Sequence, residues 1–343
     1  MSSWGNQKQS SYSYDVNNNR GPLSSANLQS GRNETWLVEN ITQVDEKLKL
    51  ITALQYEVAI RQQERMIPSG ASPSTPYDRS FEDLLPRLGF IYDLDRAHQL
   101  YGNVSRNFEA PIFGVDSSTS GMLATQAQTG ITYELGSRGD FRVDSIKTLL
   151  GWDVAIYRAE LKNEFQTTCT NPPLCTTTAT TNIPKTIHQG IEAGLYSLTN
   201  NQYETRTSLL ISDFKFDNNA IYGNNRMPGF PPILLRSELL YRWGPSFGSR
   251  GLPGNYIGPK FEWAAKAPMD NTNSLYNEAY FLMGLKAGQQ IDRHWSWFLD
   301  ARNLTNKKYA PTTGLSANFG TNPATYLPGD GRSFYFGVEK KWD

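Results

Sequence analysis

The sequence predicts an all-β chain: a transmembrane antiparallel up-and-down β-barrel. Three observations predict it. Apolar residues recur at every second position along most of the chain, the period of a strand whose two faces meet different surroundings. About fourteen such runs are joined by connections that alternate long and short, as in barrels with long external loops and short turns at the other end. No apolar run approaches the ~20 residues of a membrane helix, whereas barrel strands give lipid only alternate residues and look hydrophilic on average.

The expected strands fall near 3–14, 33–44, 47–62, 83–94, 97–107, 129–138, 151–168, 187–198, 204–216, 233–243, 256–266, 277–287, 294–304 and 332–342. In "KLKLITALQYEVAI" Leu48, Leu50, Leu54, Tyr56, Val58 and Ile60 oppose Lys47, Lys49, Gln55 and Glu57. In "RLGFIYDL" Leu88, Phe90, Tyr92 and Leu94 oppose Arg87 and Asp93, and in "HQLYGNVSR" Leu100, Gly102 and Val104 oppose Gln99, Asn103 and Ser105. "ILLRSELLYRW" sets Leu235, Leu239, Tyr241 and Trp243 against Arg236, Glu238 and Arg242. Near the end, Trp295, Trp297, Leu299 and Ala301 alternate with Ser296, Phe298, Asp300 and Arg302. The last run sets Phe334, Phe336, Val338 and Trp342 against Ser333, Glu339 and Lys341, with Lys340 breaking the alternation.

Long loops are expected at 15–32, 63–82, 108–128, 169–186, 217–232 and 305–331. Short turns are expected at 45–46, 95–96, 199–203 and 288–293, while 139–150 and 244–255 are longer than the scheme wants. A soluble sandwich or propeller has no reason to keep that asymmetry, and no blade-length repeat recurs.

Charge excludes one class. Lys plus Arg and Asp plus Glu are equal at 33 each, without a basic cluster, so the footprint of a nucleic-acid binder is missing. The aromatics (18 Tyr, 16 Phe and 8 Trp) suit either a β-rich core or the girdles of a membrane barrel. The opening "MSSWGNQKQSSYSYDVNNNRGP" has no basic segment followed by an apolar one, so no signal peptide is expected. Cys169 and Cys175, in "CTNPPLC", read as a local disulfide in a polar loop and imply an oxidising compartment. Two free thiols are the alternative. A metal site would want more ligands than the one histidine nearby, His188.

Several stretches resemble the C-terminal part of TonB-dependent outer-membrane receptors. They are "LLPRLGFIYDLDRAHQLYGNVSRNFEAP" (84–111), "TYELGSRG" (132–139), "WDVAIYRAELKNEF" (152–165), "HQGIEAGLYS" (188–197), "YGNNRMPGFPP" (222–232), "FLDARNLTNKKYA" (298–310) and "GRSFYFGVEKKW" (331–342). Each is weak alone, but they stand in the family's order. The resemblance implies a barrel of about 22 strands behind a plug domain. Residues 1–343 are therefore expected to be a partial barrel without signal peptide, TonB box or plug. Trp295, Trp297, Leu299, Phe334, Phe336 and Trp342 would face the outer-membrane lipid. The terminal strand ending at Trp342 would address the outer-membrane assembly machinery.

The function implied is active uptake of a scarce nutrient, foremost a ferric siderophore, energised by the TonB–ExbB–ExbD complex if a plug is supplied. Tyr77, Arg79, Phe108, Phe113, Tyr222, Arg226, Phe230, Tyr309 and Phe319 are the candidate ligand-binding residues of the external loops. Aromatic and basic groups suit aryl, anionic iron chelates. Haem is disfavoured. Haem receptors carry Phe-Arg-Ala-Pro with a histidine nearby, whereas this chain reads Phe108-Glu109-Ala110-Pro111 with no histidine before the next strand. The alternatives are a plug-free passive porin and a non-functional truncated receptor fragment. No enzyme is expected, because the three histidines, His98, His188 and His294, lie in unrelated strands. No cofactor or resident metal is expected.

Overall fold

A computed structural model describes residues 2–15, 18–67, 77–111, 126–169, 178–246, 252–316 and 326–342. Fourteen strands build one sheet. The first seven are β1 (Ser2–Tyr14), β2 (Arg20–Gln43), β3 (Leu48–Ile67), β4 (Tyr77–Asp93), β5 (His98–Glu109), β6 (Gln128–Val143) and β7 (Thr148–Cys169). The rest are β8 (Thr178–Thr199), β9 (Tyr203–Phe216), β10 (Ile233–Trp243), β11 (Asn255–Ala264), β12 (Tyr280–Gln290), β13 (Trp295–Arg302) and β14 (Ser333–Lys340). Each pairs antiparallel with its sequence neighbour, and β1 and β14 stand at the two ends of the sheet. Two two-residue hairpins, Ala267–Pro268 with Tyr276–Asn277 and Thr312–Thr313 with Tyr326–Leu327, lie within the long connections.

The strand count agrees with the alternation, but several strands run further than it suggests. The expected long loop at 15–32 is a tight turn: Tyr14 pairs with Arg20, and the Asp15 carboxylate accepts the Asn19 N–H at 2.8 Å. The connection expected at 139–150 shrinks to one 3-10 turn, Asp144–Ile146, closed by Lys147 at φ 47°. Both differences have one cause. Past the apolar band a strand meets water on both faces, so its backbone pairing continues while its period-two signal disappears.

Three of the short turns share a device. Asp45 accepts backbone N–H groups from Lys47 and Leu48, Asp95 from Ala97 and His98, and Asp292 from His294 and Trp295. An aspartate that binds the backbone two and three residues ahead holds a tight turn. Backbone hydrogen bonds lower the carboxyl pKa of Asp45 and Asp292 below 3.8, and the His98 ring does so first for Asp95. A depressed carboxyl stabilises the fold fully above the unfolded value and loses that contribution as pH falls through the folded one. A side-chain NMR titration should therefore find all three midpoints below 3.8. Midpoints at or above 3.8 would mean that these turns are not held this way.

The sheet's two faces differ sharply. On one, Ile156, Ile191, Ile211 and Ile233 stand side by side across four strands. One step nearer the turns come Val154, Ala193, Leu209, Leu235 and Trp263. At the turn end of the same face, Tyr203 packs on Tyr241 at 5.4 Å, and Tyr241 on Trp243 at 5.6 Å. From Tyr203 to Ile211 the outward positions span one tilted membrane crossing of about 9–11 residues. One step beyond the isoleucines the face turns polar. There Arg158 bonds Gln189 at 2.8 Å, and Gln189 bonds Asp213 at 3.0 Å.

The two terminal strands share this outer face. Trp297 pairs with Val338, Leu299 with Phe336 and Ala301 with Phe334, with Trp297 and Phe336 rings 6.2 Å apart. Trp295 is partly exposed, and Trp342 lies beyond β14 at 80% exposure. Lys340 does not spoil the pattern. Its ammonium stands 3.5 Å from the Trp342 ring and 5.1 Å from the Trp295 ring, where a long cation can cover aromatic surface and still reach water.

Candidate functional site

The opposite, inner face carries the charges. Asp153, Gly194, Ser208, Arg236 and Glu262 form one cross-strand row. Together with Arg206, Glu238, Lys260, Arg302 and Tyr309 they line a cavity of about 960 Å³. The charges are paired. Arg236 meets Glu262 at 2.9 Å and Lys286 meets Glu238 at 3.3 Å. The Asp300 carboxylate takes Lys260 on one side and Arg302, at 2.8 Å, on the other. Paired acids and bases give a wetted wall without a strong field of either sign, which suits a conduit better than an ion trap. Tyr101 braces the same face: its ring lies over Gly136, where an added Cβ would come within 2.3 Å, and its hydroxyl donates to Asp153 at 2.8 Å.

Beyond the apolar band the packing inverts. On β9 the outward residues Leu209 and Ile211 give way to Asp213 and Lys215, while the inward positions become Phe214 and Phe216. No register shift intervenes, since β9 pairs evenly with β8 from Tyr203 to Phe216. The inner face needs apolar groups here because the 217–232 connection pairs edge-on with β9 and turns Tyr222, Met227 and Phe230 onto that face. Met227 N–H donates to Phe214 O at 2.8 Å and Phe216 N–H to Asn225 O at 3.0 Å. Phe216, Met227 and Ile183 form a small buried cluster with Tyr222 and Phe214 against it.

Neighbouring segments lock onto this cap. Asn271 and Gln166 exchange two side-chain bonds at 2.8 and 3.0 Å. Asn273 bonds both the N–H and the carbonyl of Arg226, and fully buried Asp270 holds Ser274. Among the described residues the external connections are thus a built platform.

The TonB dependent receptor-like β-barrel family model matches residues 2–304. The chain belongs to this family. No curated protein matches it in sequence. Among solved structures it resembles the ferric yersiniabactin uptake receptor FyuA from Yersinia pestis, at 14% identity and TM-score 0.73, covering 100% of this chain and 50% of that one. It also resembles the siderophore receptor PiuA from Acinetobacter baumannii, at 17% identity and TM-score 0.70, covering 93% and 44%. The copper transporter OprC aligns at 16% identity and TM-score 0.71, covering 99% and 53%. At such identities the likeness is one of fold, and the chain spans about half the length of these structures.

The nine expected ligand-binding residues of this TonB-dependent receptor barrel scatter. Tyr222 and Phe230 lie on the inner side of the cap, whereas Arg226, opposite Lys215, turns to the outer side. Tyr222 packs on Phe216 at 5.1 Å and Phe230 on Phe214 at 5.1 Å, while Arg226 is tied to Asp213 at 3.1 Å. Tyr309 sits apart, packed on Tyr280 at 4.7 Å beside the cavity. Phe108 is not in a loop: it lies inside β5, opposite Thr129, because β5 continues to Glu109. Arg79 likewise lies within β4, opposite Arg61. Tyr77 begins β4, but its side chain, like Phe113 and Phe319, lies outside the described residues. So do the Cys169 side chain and Cys175.

The expectations overlooked Phe214, Phe216, Glu164 and Met227. The change of apolar phase within "TSLLISDFKF" (207–216) marks the first two in the sequence. Glu164 and Met227 carry no periodic signal, since a positive-φ residue, Asn163, and a folded connection position them.

Proposed function

We propose that this chain forms barrel wall and external cap of an outer-membrane receptor that takes up a ferric siderophore by TonB-dependent transport. The observation that carries the reading is the division of the sheet. An apolar outer band the height of a membrane backs a charged, cavity-lining inner face, and aromatic loops close over one end. The lipid-facing set (Trp295, Trp297, Leu299, Phe334, Phe336 and Trp342) and the capping residues Tyr222 and Phe230 then divide the labour. The first seats the wall in lipid; the second offers aromatic rings to an aryl iron chelate. The likeness to FyuA, a ferric yersiniabactin uptake receptor, and to PiuA, a siderophore receptor, supports the ligand class, and the family supports an energising inner-membrane complex. The half-length match supports reading residues 1–343 as part of a larger receptor, to which a plug domain would contribute.

The test is uptake of labelled ferric siderophore by Gram-negative cells lacking their own receptors and expressing this chain behind the plug-bearing N-terminal part of a family receptor. Saturable uptake that disappears without TonB is the expected result. Steady conductance of the purified chain in planar bilayers, with uptake indifferent to TonB, would instead establish a passive pore. Neither activity would leave a non-functional fragment and sink the proposal.

A further inference from the structure

Three unlike lone-pair donors converge above the apolar band. His188 Nε2 lies 3.1 Å from Glu164 Oε2 and 3.3 Å from Met227 Sδ. They come from β7, β8 and the 217–232 connection, brought together only by the fold. Asn163 turns through φ 56°, and the residue after it, Glu164, reaches the side of the sheet that carries His188. The backbone bond from Met227 N–H to Phe214 O holds the sulfur on that same side.

As a hydrogen-bond arrangement this is poorly matched. One ring nitrogen has one N–H, and a thioether is a weak acceptor for it. A metal ion would satisfy all three lone pairs at once. Metal–nitrogen and metal–oxygen bonds of about 2.0–2.2 Å, with sulfur slightly longer, place cis ligand atoms about 3–3.5 Å apart. The Nε2–Oε2 and Nε2–Sδ separations fall in that range.

The surroundings fix the donors as a metal's outer partners do. The Thr186 hydroxyl donates to the same Glu164 oxygen. Phe214 stacks on the imidazole at 4.3 Å and 13°, setting the ring plane. Met227 is 4% exposed, inside the Ile183–Phe216 cluster, while the His188 side chain keeps 18% exposure as a way in. Among the described residues no group of three His, Cys, Asp or Glu competes for a metal.

We propose that Glu164, His188 and Met227 bind one copper ion. The thioether selects copper, above all Cu(I), over zinc and the harder cations, and the imidazole accepts either copper oxidation state. This site does not depend on the uptake reading, because binding is measured without transport.

The experiment uses the full chain in detergent with Cys169→Ser and Cys175→Ser, so that no thiol captures metal. Copper is measured by equilibrium dialysis and mass spectrometry, as Cu(II) and as ascorbate-reduced Cu(I). One equivalent per chain is expected. Met227→Leu, which nearly keeps the volume, should weaken Cu(I) at least tenfold and Cu(II) much less. His188→Gln should abolish both and remove nitrogen coupling from the Cu(II) paramagnetic resonance spectrum. His98→Gln, at a turn histidine bonded to Asp95, should change neither. Circular dichroism and heat-modified gel mobility confirm that each variant is folded. Unchanged Cu(I) binding by folded Met227→Leu, unchanged binding by folded His188→Gln, or tighter binding of zinc than of Cu(I) would each overturn the site.

Discussion

Glu204→Leu should lower the unfolding free energy of the barrel wall by about 3–5 kcal/mol, read as a shift in a denaturant titration in detergent. Glu204, the second residue of β9, lies on the inner face with its side chain wholly buried, and its carboxylate holds Arg242 and Arg206. Arg242 is itself only 14% exposed, resting 5.2 Å over the Tyr256 ring and donating to the Pro253 carbonyl at 3.3 Å. Removing the acid leaves a guanidinium in a poorly solvated place, which costs more than the pair contributes. The double variant Glu204→Leu with Arg242→Leu should recover most of the loss. The exposed Arg158–Glu160 pair, at 45% and 54% exposure, is the control. Glu160→Leu should cost less than about 1 kcal/mol. Equal losses for Glu204→Leu and Glu160→Leu would show that burial at the turn end contributes nothing.

Leu195→Arg should destabilise the membrane-inserted protein by about 2–4 kcal/mol, whereas Ser208→Arg should be nearly neutral. The two positions are neighbours across the β8–β9 pair. Gly194 stands opposite Ser208 and Leu195 opposite Thr207, so one residue of register separates outer from inner face. Leu195 is 52% exposed and shares its face with Val154 and Leu209 in the apolar band. An arginine there must leave water for hydrocarbon, while at Ser208 it enters the wetted cavity. Refolding into bilayers at increasing urea measures both. A larger loss for Ser208→Arg would invert the assignment of the faces.

Much of this architecture was legible because a wall one residue thick, wet on one side and oily on the other, writes its register into every second position. The fourteen strands, their order and the faces of Trp297, Leu299 and Phe336 all follow from that constraint. The signal fails where the constraint lapses. Past the band both faces meet water, so the starts of β2 and β4 and the link between β6 and β7 lie beyond the alternation. Phe108 and Arg79 look like loop residues for the same reason, though they belong to strands.

The cap obeys different physics. Tyr222 and Phe230 are recognisable as loop aromatics, but nothing in their spacing says that Phe214 and Phe216 lie beneath them or that Met227 turns inward. Those contacts join segments far apart in the chain, through hydrogen bonds such as Gln166–Asn271 across 105 positions, and loop closure leaves no periodic trace. The sequence by itself determined the sheet, its two faces and the family, since these depend on local alternation and the order of strand motifs. Only the tertiary structure decided the pairing of inner charges, the loop platform and the meeting of Glu164, His188 and Met227, because each depends on side chains that approach one another only after the strands are in register.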